Sequence, residues 1–243
     1  LVVDDKLIIN PGARNASVVA LDRKNGKLIW KTPGHAASYS AFVVGKLGGR
    51  KQIIGYDSAS VGGWDPATGH RLWQHVPREG SDFNVTTPLI HKGQLLFATE
   101  NNATRLHRFA KNGTLVAKPA MANLNLAPDT CSPVIVGDRV FATAYGEMYC
   151  LDLKDGMKTV WVAEDDMFHD HSNMIGGNGR VLVWTNSGDL LLLDAAANEF
   201  KPLSRLRPFG AGKVDSMSHP AIVGNRLYLR GSSELACFEF ERE

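Results

Sequence analysis

VVALDRKNGKLIW, residues 18–30, returns as VGGWDPATGHRLW at 61–73 and, with one inserted residue, as MYCLDLKDGMKTVW at 148–161. Weaker copies are RLHRFAKNGTLVA at 105–117, LLLLDAAANEFKP at 190–202 and LACFEFERE at 235–243. Aligned on Ala20, the equivalent residues are Gly63, His107, Cys150, Leu192 and Cys237, with successive spacings of 43, 44, 43, 42 and 45. A fixed period of this length marks a repeat architecture, in which each unit buries its apolar face against its neighbours.

Each unit reads as four short strands. Apolar, β-branched and aromatic residues run for a few positions between Gly, Asn and Asp turn signals. In 133–163, PVIV and RVFATA flank the hairpin pair Gly137 and Asp138; EMYCLDL follows Gly146, and KTVWVA follows Asp155 and Gly156. No segment carries a helical period, which disfavours a βαβ fold. The expectation is an all-β β-propeller of four-stranded antiparallel blades in a single domain over 1–243, with repeats at about 1–40, 41–87, 88–132, 133–173, 174–219 and 220–243.

Trp30, Trp73 and Trp161 fall on the outermost strand of their units, eight or nine residues after Asp22, Asp65 and Asp152. A flat ring there can fill the wedge between radiating blades, while the Asp accepts hydrogen bonds from the intervening turn. Their spacing explains these six residues as docking elements, not catalysts. Trp64 and Asp65 form a WD pair that does not recur, and the GH pairs at Gly34–His35 and Gly69–His70 fall at different places in their units, one after the repeat Trp and one before it. What recurs is a small residue, Asp, a Gly turn and then Trp, which resembles the pyrroloquinoline-quinone (PQQ) repeat family. That family includes quinoprotein alcohol dehydrogenases and the BamB-like assembly lipoproteins. The resemblance spans essentially the whole chain; it implies the fold, and it implies a bacterial, extracytoplasmic setting, periplasmic or membrane-associated. Because the final unit stops after a third strand, the chain reads as the C-terminal part of a seven- or eight-bladed propeller, with a complete six-bladed ring as the alternative.

The totals exclude several functions. A 44% hydrophobic, 21% charged chain is an ordinary globular composition. Its +2 charge, from 27 basic and 25 acidic residues spread along the sequence, offers no basic stripe for nucleic acid. No run is apolar enough to form a transmembrane segment, and LVVDDKLIIN lacks the basic-then-apolar pattern of a leader. Cys131, Cys150 and Cys237 are isolated, against a disulfide framework. GxSxG, Walker A and GxGxxG patterns are absent.

Loops joining the outermost strand of one unit to the innermost strand of the next end in polar clusters: 34–40, 78–87, 123–132, 164–173 and 210–219. In a propeller such loops gather at one mouth of the central channel. The candidate ligand-binding residues are His35, Tyr39, Asp82, Asn84, Asp129, Cys131, His169, His171 and His219. In EDDMFHDHSN, 164–173, His169 and His171 lie two apart. On an extended segment they would share one side and could hold a divalent metal, with Asp129, Cys131, His219 or His35 as a third ligand; a hydrogen-bonded polar rim is the plainer reading. No catalytic residue is assigned. PQQ enzymes carry a pair of adjacent cysteines, a Trp beneath the quinone and a Ca²⁺ beside a catalytic Asp. This chain has no Cys-Cys pair, which argues against PQQ, and Trp184 alone lacks a repeat role. The sequence therefore favours a noncatalytic scaffold for a protein, peptide or glycan. The alternative is a quinoprotein-type oxidoreductase, or a metal-dependent lyase or hydrolase using the His-lined mouth.

Overall fold

The computed structural model describes residues 1–80, 82–212, 214 and 217–240. Ser81 in the second loop, Lys213, Asp215 and Ser216 in the last loop, and 241–243 of the final repeat copy lie outside the described residues. The chain divides into two compact units, Leu1–Asp129 and Thr130–Glu243.

In the first unit, sheet one contains β1 (Val2–Val3), β2 (Lys6–Ile9), β3 (Val18–Asp22) and β4 (Leu28–Thr32). Sheet two contains β5 (Val43–Leu47), β6 (Arg50–Asp57), β7 (Ser60–Trp64) and β8 (Arg71–His75). Sheet three contains β9 (Leu89–His91), β10 (Gln94–Thr99), β11 (Ala103–His107) and β12 (Met121–Asn123). The second unit holds sheet four, β13 (Val134–Val136), β14 (Arg139–Ala144), β15 (Glu147–Asp152) and β16 (Lys158–Glu164), and sheet five, β17 (Ser172–Gly177), β18 (Arg180–Thr185), β19 (Leu190–Asp194) and β20 (Pro202–Leu206). Sheet six has β21 (Ala221–Val223), β22 (Arg226–Arg230) and β23 (Leu235–Glu239). Every sheet is antiparallel with strands in sequence order.

The core lies between neighbouring sheets because side chains alternate along each strand. On β19, Leu191 and Leu193 face sheet four, joining Phe141, Cys150 and Trp161, while Leu190 belongs to the cluster with Leu227 and Leu229 of sheet six. The wedge between sheets one and two packs Ile8, Ala20 and Trp30 on Ile53 and Trp64. Between sheets two and three, Ile54 and Trp73 meet Leu95 and Phe97.

The Asp and Trp of the strong repeats lock these wedges. Asp22 Oδ1 accepts the N–H groups of Lys24 and Asn25, Asp65 Oδ1 those of Ala67 and Thr68, and Asp152 Oδ1 that of Lys154. Burial alone would push the Asp65 carboxyl up, but Arg50 at 2.7 Å and the two turn N–H groups hold it below the usual carboxylate range. Each indole then ties its sheet to the same turn of the next one. Trp30 Nε1 donates to Pro66 O at 3.1 Å, and Trp161 Nε1 to Ala197 O at 3.3 Å. Trp73 uses a relay: its Nε1 donates to Gln52 Oε1 at 2.6 Å, and Gln52 Nε2 donates to Gly113 O at 2.8 Å. Gly69, at φ +72°, closes its turn directly under Trp30, where a Cβ would stand 2.3 Å from the ring.

Candidate functional site

In an up-and-down sheet, the turn between the second and third strands emerges at the same end as the loop leaving the fourth. Here the two are stitched together. Ser58 N–H donates to Ala36 O, Asp165 N–H to Gly146 O at 3.2 Å, and Asn186 N–H to His171 O at 2.8 Å. The Asp-capped turns occupy the opposite ends of the sheets, so docking and loop display are segregated.

In the first unit, His35 and Tyr39 lie in the loop after β4. Both are exposed, Tyr39 at 79%, and the His35 carbonyl accepts the Ser17 hydroxyl at 2.8 Å. Asp82 and Asn84 are buried and act inward. Asp82 accepts Asn101 N–H at 2.8 Å and Asn102 Nδ2 at 2.5 Å, pinning its loop to the β10–β11 turn. Asn84, at φ 52°, donates through Nδ2 to Asp57 O at 3.2 Å. Asp129 is half-buried.

In the second unit, the extended path expected from His169 to His171 is corrected. Asp165 accepts Met167 N–H at 3.0 Å and caps a 3₁₀ turn at Asp166–Phe168, which buries Met167 and Phe168; His169 ends that turn at φ −68°, ψ −22°. The two imidazoles therefore have different neighbours. His169 covers Gly146 and lies 3.5 Å from Asp166, whereas His171 acts on His219. Burial, and then the nearby His171, lower the pKa of His219. Cys131 sits in the core with Phe168 and Met174 instead of facing solvent. Among the described residues, no three His, Cys, Asp or Glu side chains group closely enough to hold a metal ion.

Sequence reasoning missed a buried polar cluster behind Asp82. Burial pushes the Tyr56 hydroxyl far above its usual range, and burial likewise lowers Arg105, whose guanidinium lies 4.9 Å over the Phe97 ring and donates to Thr99 Oγ1 at 3.2 Å. His107 stacks on Phe97 at 4.6 Å, with His75 5.2 Å away. Burial lowers the His107 pKa most; the Val116 carbonyl 3.0 Å from Nδ1 offsets part of this, and His75 and Arg105 lower it further, to about 4. The sequence did carry one sign of it, since His107 fills the repeat position that Ala20 and Gly63 keep small. Burial pushes the Cys150 thiol up to about 12, so it is a packing residue and stays protonated at neutral pH.

Large apolar side chains meet solvent at these loop ends beside exposed polar ones such as His35, Glu79 and Asp166. Tyr39, Phe83 (66%) and Leu124 (80%) stand out from the three loops of the first unit. In the second unit, Tyr145 (66%) projects from the β14–β15 turn and Met217 (65%) from the loop after β20. The tight turns at the opposite ends, such as Lys24–Asn25–Gly26, are polar.

Sequential antiparallel sheets, sealed by Asp-capped turns and an indole passed to the next sheet, define a β-propeller of the PQQ-repeat class. Within that class, the family model described as outer membrane protein assembly factor BamB matches residues 1–200, and the chain belongs to that family. BamB from Moraxella catarrhalis superposes with a TM-score of 0.70 at 15% identity, covering 98% of this chain and 71% of that one. The computationally designed protein Ika8 superposes with a TM-score of 0.58 at 9% identity, over 99% of this chain and 82% of that one. At these identities the likeness is one of fold. No curated protein matches the chain.

Proposed function

We propose that the chain is a noncatalytic scaffold that binds a protein or peptide through the loop ends of its sheets, in an extracytoplasmic, membrane-associated setting. The carrying observation is the recurrence of a large exposed apolar side chain at topologically equivalent places: Tyr39, Phe83, Leu124 and Met217. Aromatic and long aliphatic groups held on a rigid frame are the usual anchors of protein interfaces. A glycan fits less well, because Phe83, Leu124 and Met217 offer no hydrogen bonds. Membership in a family described by outer-membrane assembly supports both the protein partner and the setting. Among the described residues no helix is long and apolar enough to cross a membrane.

The test is a triple variant, Tyr39→Ser, Phe83→Ser, Leu124→Ser, compared with wild type for a protein captured from envelope extract and then purified. The expected result is at least a tenfold weaker Kd, about 1.4 kcal/mol, with an unchanged Tm. Equal affinities would count against the loop face. A quinone absorbance, or stoichiometric metal lost in a His169→Ala, His171→Ala double variant, would instead point to an enzyme.

A further inference from the structure

Three sheets hand an indole to the next, and they do so in one register. Ala20 opposes Trp30, Gly63 opposes Trp73 and Cys150 opposes Trp161, each pair immediately preceding a register shift. Sheet five keeps the same register and the same shift, but there Leu192 opposes Ser204. A serine thus stands where tryptophan stands elsewhere. The neighbouring position changes as well: Phe141 pairs with Cys150 in sheet four, whereas Leu182 pairs with Leu192 in sheet five. At these two positions the rings of Phe141 and Trp161 have no aromatic counterpart; Trp184 and Phe209 pack into the same wedge with Leu190, Leu227 and Leu229, and exchanging cysteine for leucine replaces only part of the volume lost.

The wedge between sheets five and six is consequently filled only in part. A cavity of about 290 Å³ remains, walled mainly by Ile175, Leu182, Leu192 and Leu206 on one side and Ile222 and Leu227 on the other, with Phe240 at its end. That is roughly twice the ~150 Å³ at which an apolar cavity takes up benzene, so an indole fits. Arg180 also lines it; its side chain is 48% exposed, and its ion pair with Asp194 is long at 3.4 Å.

We infer that this wedge receives a tryptophan-sized aromatic side chain from the partner, on a segment that places an acidic residue against Arg180. The inference rests on the protein-binding reading above. The chain itself shows what suits such a wedge, since it fills three equivalent ones with indole, and Arg180 supplies the charge that a flanking carboxylate complements.

The probe is N-acetyl-tryptophanamide, titrated at millimolar concentration while the methyl NMR signals of Ile222, Leu182, Leu192, Leu206 and Leu227 are followed. Saturable shifts are expected in wild type, and their loss is expected when Ser204→Trp fills the wedge from within. Ser204→Phe is the smaller plug, should the larger one fail to fold. No saturable shift in wild type, or shifts undiminished in a folded plugged variant, overturns the site. The captured partner separates this inference from the wider reading. At least tenfold weaker binding by the plugged variant supports the wedge. Unchanged binding by the plugged variant, together with loss in the triple loop variant, overturns the wedge and leaves the scaffold standing. Shifts with tryptophanamide but no captured partner sink the scaffold while keeping the pocket. Concentration-dependent dimerisation abolished by Ser204→Trp would make a second copy the occupant and overturn the partner assignment.

Discussion

His107 shows how one buried side chain couples this structure to pH. Its neighbours are Phe97, His75 and Arg105, and among the described residues its ring hydrogen-bonds only the Val116 carbonyl, so the folded protein favours the neutral ring. With a folded pKa of about 4 against 6.5 unfolded, the unfolded chain binds more protons between those values. Stability is thus fully present above pH 6.5 and is lost as the pH falls toward 4, by about 3 kcal/mol from this group. His75 is lowered in the same sense and adds to the loss. Urea unfolding at pH 7, 5.5 and 4.5 should show this fall in wild type and a clearly flatter profile in His107→Gln; parallel profiles would show that His107 does not titrate there. The residue-level contents of the loops were only half legible. Exposed His35, Tyr39 and His169 follow from polar loop composition, but Asp82 and Asn84 turn inward to brace turns that lie 15 or more residues away in sequence. Tyr56 and Arg105 gain their meaning only from strands that become neighbours in the folded sheets.

Turns and sheets were readable because the local chemistry is obligatory. Gly26, Gly69 and Gly156 recur at one place in the repeat, and all three adopt a positive φ that other residues disfavour. The third sheet departs from its repeat copy. Its copy at 105–117 aligns 114–117 with the outer strand of the strong copies, but a Phe109–Leu115 bridge lengthens the connection and the strand forms at Met121–Asn123. The vacancy at Ser204 was illegible for a related reason: the weak copy ends at Pro202, and only strand register aligns Ser204, two residues further on, with Trp161. The value of the occupied slot can be measured at Trp161, which is 9% exposed and bonded to Ala197. Trp161→Phe keeps most of the packing and loses one hydrogen bond, a cost of about 1 kcal/mol. Trp161→Ala also opens the wedge and should cost roughly 3–5 kcal/mol. Chemical denaturation that gave both variants the same small loss would mean the indole is surface decoration.

Within each compact unit, stability is carried by contacts between consecutive sheets, since no sheet buries both faces by itself. In the first unit, Trp30, Ile53 and Trp64 share the wedge between sheets one and two, while Trp73, Leu95 and Phe97 share the wedge between two and three. A stack of this kind behaves as a line of units coupled to nearest neighbours, so damage to one wedge spreads by one step and weakens with the next. Trp30→Ala should therefore raise native-state amide exchange in β2, β3, β6 and β7 at least tenfold, about 1.4 kcal/mol of lost protection. Amides of β10 and β11 should change less than about twofold, because the second wedge keeps all its contacts. Hydrogen exchange read by mass spectrometry distinguishes this from a single cooperative block, in which every strand of the unit would lose protection equally. A stepwise response also explains how the fold tolerates a partly vacant wedge between sheets five and six: the cost stays local, and a surface free to bind remains without loosening the sheets that hold the loops.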